Sequence, residues 1–223
     1  ILCTVMSPGD ENASNNLESV SVTIDEYHDL SAISIAPFSA YAVYPYGTYS
    51  FSGEIFNAGS VNETDILVRC TVIDSYSVKV YEEIWIIVQI DTGATANITF
   101  TPAWSPDHSD SYTLLIEVSM TGDENISDDM RSLPFIIDMT SPTVDVGTNA
   151  TINEDQLFTF NGSLSYDLNG ISNYTWDFGD GTYGFAPVLD HSYPNSGIYN
   201  VTLTLTDIVG NSASASVSVT VQN

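Results

Sequence analysis

Apolar residues recur at every second position along much of this chain. From Asn200 to Thr206 the order Asn-Val-Thr-Leu-Thr-Leu-Thr alternates polar and apolar without a break, which makes one face of an extended chain greasy and the other wet. In Tyr174-Thr175-Trp176-Asp177-Phe178 the indole and the phenyl ring fall on one face and Asp177 on the other. Val68 to Ile73 and Ile84 to Ile90 are rich in β-branched residues, which suit a pleated, half-buried surface. Between Asp29 and Asp138 there is no helical periodicity, and turn clusters stand at Asn57-Ala58-Gly59-Ser60, Asp91-Thr92-Gly93 and Ser105-Pro106-Asp107. Short strands with regular turns predict an all-β chain of sandwiches. The longest apolar run, Ile84-Trp85-Ile86-Ile87-Val88, is far short of the roughly 20 residues that span a bilayer. It is expected as a buried strand. Tyr41, Tyr44, Tyr46 and Tyr49 crowd one segment. They predict two strands around a Pro-Gly turn with half the rings buried; the alternative is stacking on sugars or on a protein partner.

The pattern also repeats. Ile1 to Asp25 aligns without gaps on Leu114 to Asp138: Gly9-Asp10-Glu11-Asn12-Ala13-Ser14 matches Gly122-Asp123-Glu124-Asn125-Ile126-Ser127, Val5 matches Val118, and Ile24-Asp25 matches Ile137-Asp138. Each copy reads as a hairpin around an acidic, Asn-rich loop. The second copy closes a domain over residues 26–138, whereas the first has no domain of its own to close. Because two strands alone are marginal in water, residues 1–25 are expected to be the last hairpin of a preceding repeat in a longer protein. The other reading is a hairpin that completes a sheet of another molecule and so builds a filament. Met139-Thr140-Ser141-Pro142 then reads as a short, semi-rigid joint to a unit over residues 139–223, since proline fixes its own φ and biases the residue before it. Stiffly joined sandwiches suit spacing and load-bearing.

In that last unit Tyr174-Thr175-Trp176-Asp177-Phe178-Gly179-Asp180-Gly181-Thr182 is followed by His191-Ser192-Tyr193-Pro194 and then by Gly197-Ile198-Tyr199-Asn200-Val201-Thr202-Leu203. This order of strand, Gly-Asp-Gly turn, His-x-Tyr and Gly-x-Tyr-x-Val-x-Leu resembles the PKD (polycystic kidney disease) domain, an Ig-like β-sandwich. The resemblance implies a non-catalytic module of cell surfaces. It makes Trp176, Phe178, Tyr193 and Tyr199 core residues and gives His191 a structural hydrogen bond. Some PKD domains bind calcium through the loop equivalent to Ser165-Tyr166-Asp167-Leu168-Asn169-Gly170 and the strand leading into the domain, so Asp167, Asn169 and Asp138 are calcium candidates. Asp-x-Asn-Gly is equally an ordinary turn.

The middle domain opens a strand at Asp29-Leu30, continues through Gly53-Glu54-Ile55-Phe56-Asn57-Ala58-Gly59, and carries the acidic loop Gly122-Asp123-Glu124-Asn125. These features resemble the CARDB family of adhesion-related Ig-like modules. Where that family ends in Asn-Asn, this chain has Asp128-Asp129. With Asp123-Glu124, that pair is a second, less specific cation candidate.

Charge narrows the choice of partners. Asp and Glu number 29 against three bases, Arg69, Lys79 and Arg131, for a formal net charge of −26. A chain so short of bases has no footprint for nucleic acid or for an anionic membrane surface. A soluble, self-repelling surface or a cation-rich setting fits. The only cysteines, Cys3 and Cys70, fall in different predicted domains and are expected as buried free thiols. Nothing basic precedes Ile1 in the manner of a signal peptide. Asn-x-Ser/Thr acceptors occur at Asn12, Asn62, Asn97, Asn125, Asn149, Asn161, Asn173 and Asn200, so N-linked glycans are expected on some of them. His28, His108 and His191 are too scattered for a local metal cluster, and no nucleophile elbow, zinc spacing or phosphate loop is present.

The sequence thus predicts tandem Ig-like β-sandwiches, CARDB-like and then PKD, preceded by a hairpin: a non-catalytic, extracellular structural or adhesion segment. The expected setting is a glycosylated microbial surface layer or surface filament, most like those of archaea. Its partners would be copies of itself or other surface proteins, without membrane insertion by this segment. Calcium and glycans are the only non-protein components it suggests. The alternative is an accessory, polysaccharide-binding region of a secreted hydrolase.

Overall fold

The structure, a computed structural model, describes residues 2–4, 17–19 and 26–223. Strands β1 (Leu2–Thr4) and β2 (Leu17–Ser19) pair antiparallel, Leu2 opposite Ser19. The rest of the first repeat copy, including Asn12, and the side chain of Cys3 lie outside the described residues. Among the described residues every regular element is a strand.

The first sandwich is built from β3 (Leu30–Ala36), β4 (Val43–Tyr44), β5 (Ser52–Asn57), β6 (Glu63–Ile73), β7 (Lys79–Ile90), β8 (Thr95–Thr99), β9 (Asp110–Ser119) and β10 (Met130–Ile137). One sheet runs β3-β5-β8 and the other β4-β10-β9-β6-β7. The alternation of β6 explains its central place: Ile66, Val68, Cys70 and Val72 all point inward and are fully buried, each apolar side chain contributing roughly 1.5–3 kcal/mol. They meet Leu30, Ile55 and Ile98 of the smaller sheet, while Phe38, Phe51, Trp104 and Phe135 cluster nearby, Phe38 stacked on Phe135 at 3.9 Å. Burial pushes the Cys70 thiol up to about 12. Tyr44 and Tyr49 pack on this core, while Tyr41 and Tyr46 face solvent.

The run Ile84-Trp85-Ile86-Ile87-Val88 is a strand but not a buried one. It lies in β7, at the edge of the five-stranded sheet, with Ile86 62% and Val88 76% exposed. β7 has a partner on one side only, so the covering that a continuous apolar run implies is missing from the described residues.

The second sandwich comprises β11 (Ala150–Asn153), β12 (Phe158–Asn161), β13 (Ile171–Asp177), β14 (Tyr183–Gly184), β15 (Val188–His191), β16 (Gly197–Asp207) and β17 (Ser212–Gln222). Its sheets are β11-β17-β16-β13-β14 and β12-β15, with β11 parallel to β17. Trp176 is fully buried, opposite Leu203 in the β13–β16 ladder and 5.5 Å from Phe160; its Nε1 donates to the Ala186 carbonyl at 3.0 Å. Phe178 stacks on His191 at 4.0 Å, and His191 Nε2 lies 2.8 Å from Asp180 Oδ2. Tyr193, fully buried, donates its hydroxyl to the Phe178 carbonyl and stacks on Tyr199, whose own hydroxyl donates to Asn195 O. Between Phe178 and Asp180 the chain turns at Gly179, with φ of +78°, where a Cβ would come within 2.7 Å of the Asn200 carbonyl oxygen. Only glycine satisfies both demands.

Candidate metal centre

Asp138 follows β10 directly, and its backbone N–H donates to Tyr44 O, which anchors it to the first sandwich. Its side chain belongs to the second. Oδ2 accepts from Asn169 Nδ2 at 2.9 Å, and Oδ1 accepts the backbone N–H and hydroxyl of Thr140. Asp167 comes from the loop before β13, where its Oδ1 accepts the N–H groups of Asn169 and Gly170. Asp207 ends β16, and its Oδ1 accepts three backbone N–H groups, those of Val209, Gly210 and Asn211. Asn211 Nδ2 bonds both Asp207 Oδ2 and the Asp138 carbonyl. The two Asx turns are the local reason these acids hold still.

One carboxylate oxygen from each of Asp138, Asp167 and Asp207 lies within 4.8 Å of the others, and all three residues are buried. Two like charges at that spacing repel by on the order of 3–4 kcal/mol at an effective dielectric near 20. The chain's bases sit elsewhere: Arg69 by Glu82 and Glu117, Lys79 by Glu82, and Arg131 on the carbonyls of Ala32 and Ile33. Burial pushes the Asp138 carboxyl up, but the hydrogen bonds from Thr140 and Asn169 outweigh it and hold the group below its ordinary range. Three converging carboxylates with no nitrogen or sulfur donor fit a hard divalent cation, calcium above all, and do not fit zinc.

The structure therefore brings together Asp138, Asp167 and Asn169, with Asn169 aiming its amide N–H₂ at Asp138 rather than an oxygen at the centre. Asp207 was missed by sequence reasoning. Its signal was the turn Asp207-Ile208-Val209-Gly210-Asn211, which resembles that at Asp167-Leu168-Asn169-Gly170 and lies about forty residues further on, too distant in sequence to be linked without the fold.

Of the glycan acceptors, Asn62, Asn97, Asn149, Asn161, Asn173 and Asn200 are exposed and Asn125 is half-buried. Asn200 sits mid-strand on the outer face of β16. Several are engaged through their side chains: Asn62 and Asn149 accept backbone N–H groups of Thr92 and Ser218, and Asn161 that of Ser163.

Two all-β units, each a pair of packed sheets around one core, define the chain as tandem Ig-like β-sandwich modules. The second is a PKD domain, its family profile matching residues 139–221. Among solved structures the chain is similar to the CARDB domain of a Pyrococcus furiosus protein, at 16% identity over 52% of this chain and 99% of that one, with a TM-score of 0.41. A crystal structure of that domain, described as being in complex with di-metal ions, aligns at 15% identity over 53% and 100%, TM-score 0.41. Fibronectin(III)-like modules of Clostridium thermocellum CbhA align at 14% identity over 85% and 93%, TM-score 0.35.

Proposed function

We propose that this chain is a non-catalytic segment of an extracellular structural or adhesion protein whose two sandwiches are locked together by a divalent cation at their joint. The observation that carries the reading is the buried triad: Asp138, held to the first sandwich by its backbone bond to Tyr44, is met by Asp167 and Asp207 of the second. A divalent cation there would offset two of the three buried charges and tie β10 to the loops around β13 and β16. A joint so fixed transmits force and position, which is what a spacer in a surface layer or filament needs. The charge of −26 makes such a chain dependent on divalent ions wherever copies pack side by side. Glycans on the exposed acceptors Asn62, Asn97, Asn149, Asn161, Asn173 and Asn200 would coat its outer faces. The alternative, an accessory region of a secreted hydrolase, draws on exposed Tyr41 and Tyr46 as sugar-stacking rings; retention on insoluble polysaccharide, lost in Tyr41→Ala, would favour it.

Calcium titrated into the metal-stripped chain is expected to release heat and raise the melting temperature, and Asp207→Asn is expected to weaken this joint site at least tenfold. Calcium response in Asp207→Asn identical to that of the parent would refute the joint site.

A further inference from the structure

A second set of acids gathers in the first sandwich, at the opposite end of β10 from the joint triad. The loop between β9 and β10 folds over the start of β3. Glu124 N–H donates to His28 O, Leu30 N–H donates to Asp123 Oδ2 at 3.0 Å, and Ala32 N–H donates to Asp128 O. These bonds bring Asp123, Asp128 and Asp129 against Asp29. From below, Asp29 is fixed by the turn at Asn57-Ala58-Gly59, where its carbonyl accepts the N–H groups of Ala58 and Gly59. That approach tolerates only glycine at position 59, since a Cβ there would come within 2.5 Å of the Tyr27 carbonyl oxygen and 3.0 Å of Asp29 N.

Asp29 is only 6% exposed. Its Oδ2 accepts the Tyr27 hydroxyl at 2.8 Å, but its Oδ1 is buried without any hydrogen-bond partner, and so are Asp128 Oδ1 and Asp129 Oδ1. Orphaned carboxylate oxygens are costly, because each has surrendered water without gaining a donor. Their charged neighbours make matters worse. Burial first, then the charges of Asp123 and Asp128, pushes the Asp129 carboxyl up to about 6, and burial with the Asp29 and Asp123 charges raises Asp128. The bases nearby are engaged elsewhere: Arg131 bonds the Ala32 and Ile33 carbonyls, and His28 Nδ1 lies 2.9 Å from Glu63 Oε1.

We infer that Asp29, Asp123, Asp128 and Asp129 form a second divalent-cation site, of calcium type, that staples the β9–β10 loop of one sheet to the first strand of the other. All donors are carboxylate oxygens, the set that hard cations take, with water completing the shell. The site is distinct from the joint: it orders the first sandwich internally, whereas the joint triad ties the two sandwiches together.

The test uses the full chain, metal-stripped, with Asp207→Asn as background so that the joint site is weakened. Calorimetry with calcium is expected to show residual binding in this background and a calcium-dependent rise in melting temperature. Adding Asp129→Asn or Asp123→Asn should weaken that residual binding at least tenfold. In metal-free buffer Asp129→Asn should melt no lower than the background, because it removes a repelling charge, whereas Asp123→Asn also gives up one of the two backbone N–H bonds its carboxylate accepts from Leu30 and Asn125. Terbium provides a probe that reports the site without relying on stability: excitation of Tyr27, which touches Asp29, should sensitise its emission, and Tyr27→Phe should abolish that signal. Absence of both residual calcium heat and terbium emission in the Asp207→Asn chain overturns the inference while leaving the joint site intact, provided the parent still binds. Residual binding that is unchanged by Asp123→Asn overturns it equally. A parent chain that binds no calcium removes both sites.

Discussion

Trp176 shows how much one side chain carries. Its ring is fully enclosed and its only polar atom is satisfied by the Ala186 carbonyl, so truncation removes packing and strands an acceptor together. Trp176→Ala is expected to cost about 3–5 kcal/mol, read as a drop in the denaturant midpoint of the C-terminal sandwich; an unshifted midpoint would contradict the core role. Cys70 makes a second residue-scale test. Its thiol is sealed inside the first sandwich and its ionisation is displaced to about 12, so a Cys3→Ser chain should resist alkylation at pH 8 until denaturant opens the fold. Rapid labelling of the native chain would show that the core admits solvent. At this scale the sequence was legible where chemistry is local: the indole and phenyl of Trp176 and Phe178 announce an inward face by their spacing alone. It was silent where a residue acts through a partner remote in the chain, as Asp207 does with Asp138.

Strands β6 and β7 present the same problem one level up. Both read as rich in β-branched residues, yet β6 lies between β9 and β7 with Ile66 fully buried, whereas β7 ends the sheet with Ile86 largely exposed. Composition does not distinguish a central strand from an edge strand, because sheet order is set by pairings between segments far apart in sequence. Ile66→Ala is therefore expected to cost about 2–5 kcal/mol, while Ile86→Lys should change stability by no more than about 0.5 kcal/mol. Chemical denaturation of the two variants checks both; equal losses would mean that β7 is covered in the native protein. A charge on a bare, apolar edge is also a common guard against edge-to-edge pairing, so Ile86→Lys should not raise the tendency to aggregate.

For the whole molecule, pH dependence follows from ion pairs outside the two acidic clusters. The hydrogen bond from Asp107 holds the His108 imidazole above its ordinary value, so the stability it brings is complete below about 6.5 and is lost as pH rises through the raised value. His108 in turn holds Asp107 below the carboxylate range. At Asp180 burial pushes the carboxyl up, but hydrogen bonds from Thr182 and His191 outweigh it and hold it low. The contributions of both carboxylates are present above the ordinary value near 4 and disappear as pH falls through their depressed ones. In saturating calcium the melting temperature is thus expected to plateau between about pH 4 and 6.5, with the acid limb shallower in Asp180→Asn; a maximum above pH 8 would contradict this assignment. Alternation and turn residues determined that the chain is all-β, because those signals are local and have a period of two, while the Trp-x-Phe and Gly-Asp-Gly signatures carried the resemblance that implied an Ig-like sandwich. Which strand lies at an edge, and which carboxylates meet at the joint and beneath the β9–β10 loop, was decided only by tertiary structure. Those contacts join residues from about thirty to a hundred positions apart, and no local pattern encodes which distant turn will face which.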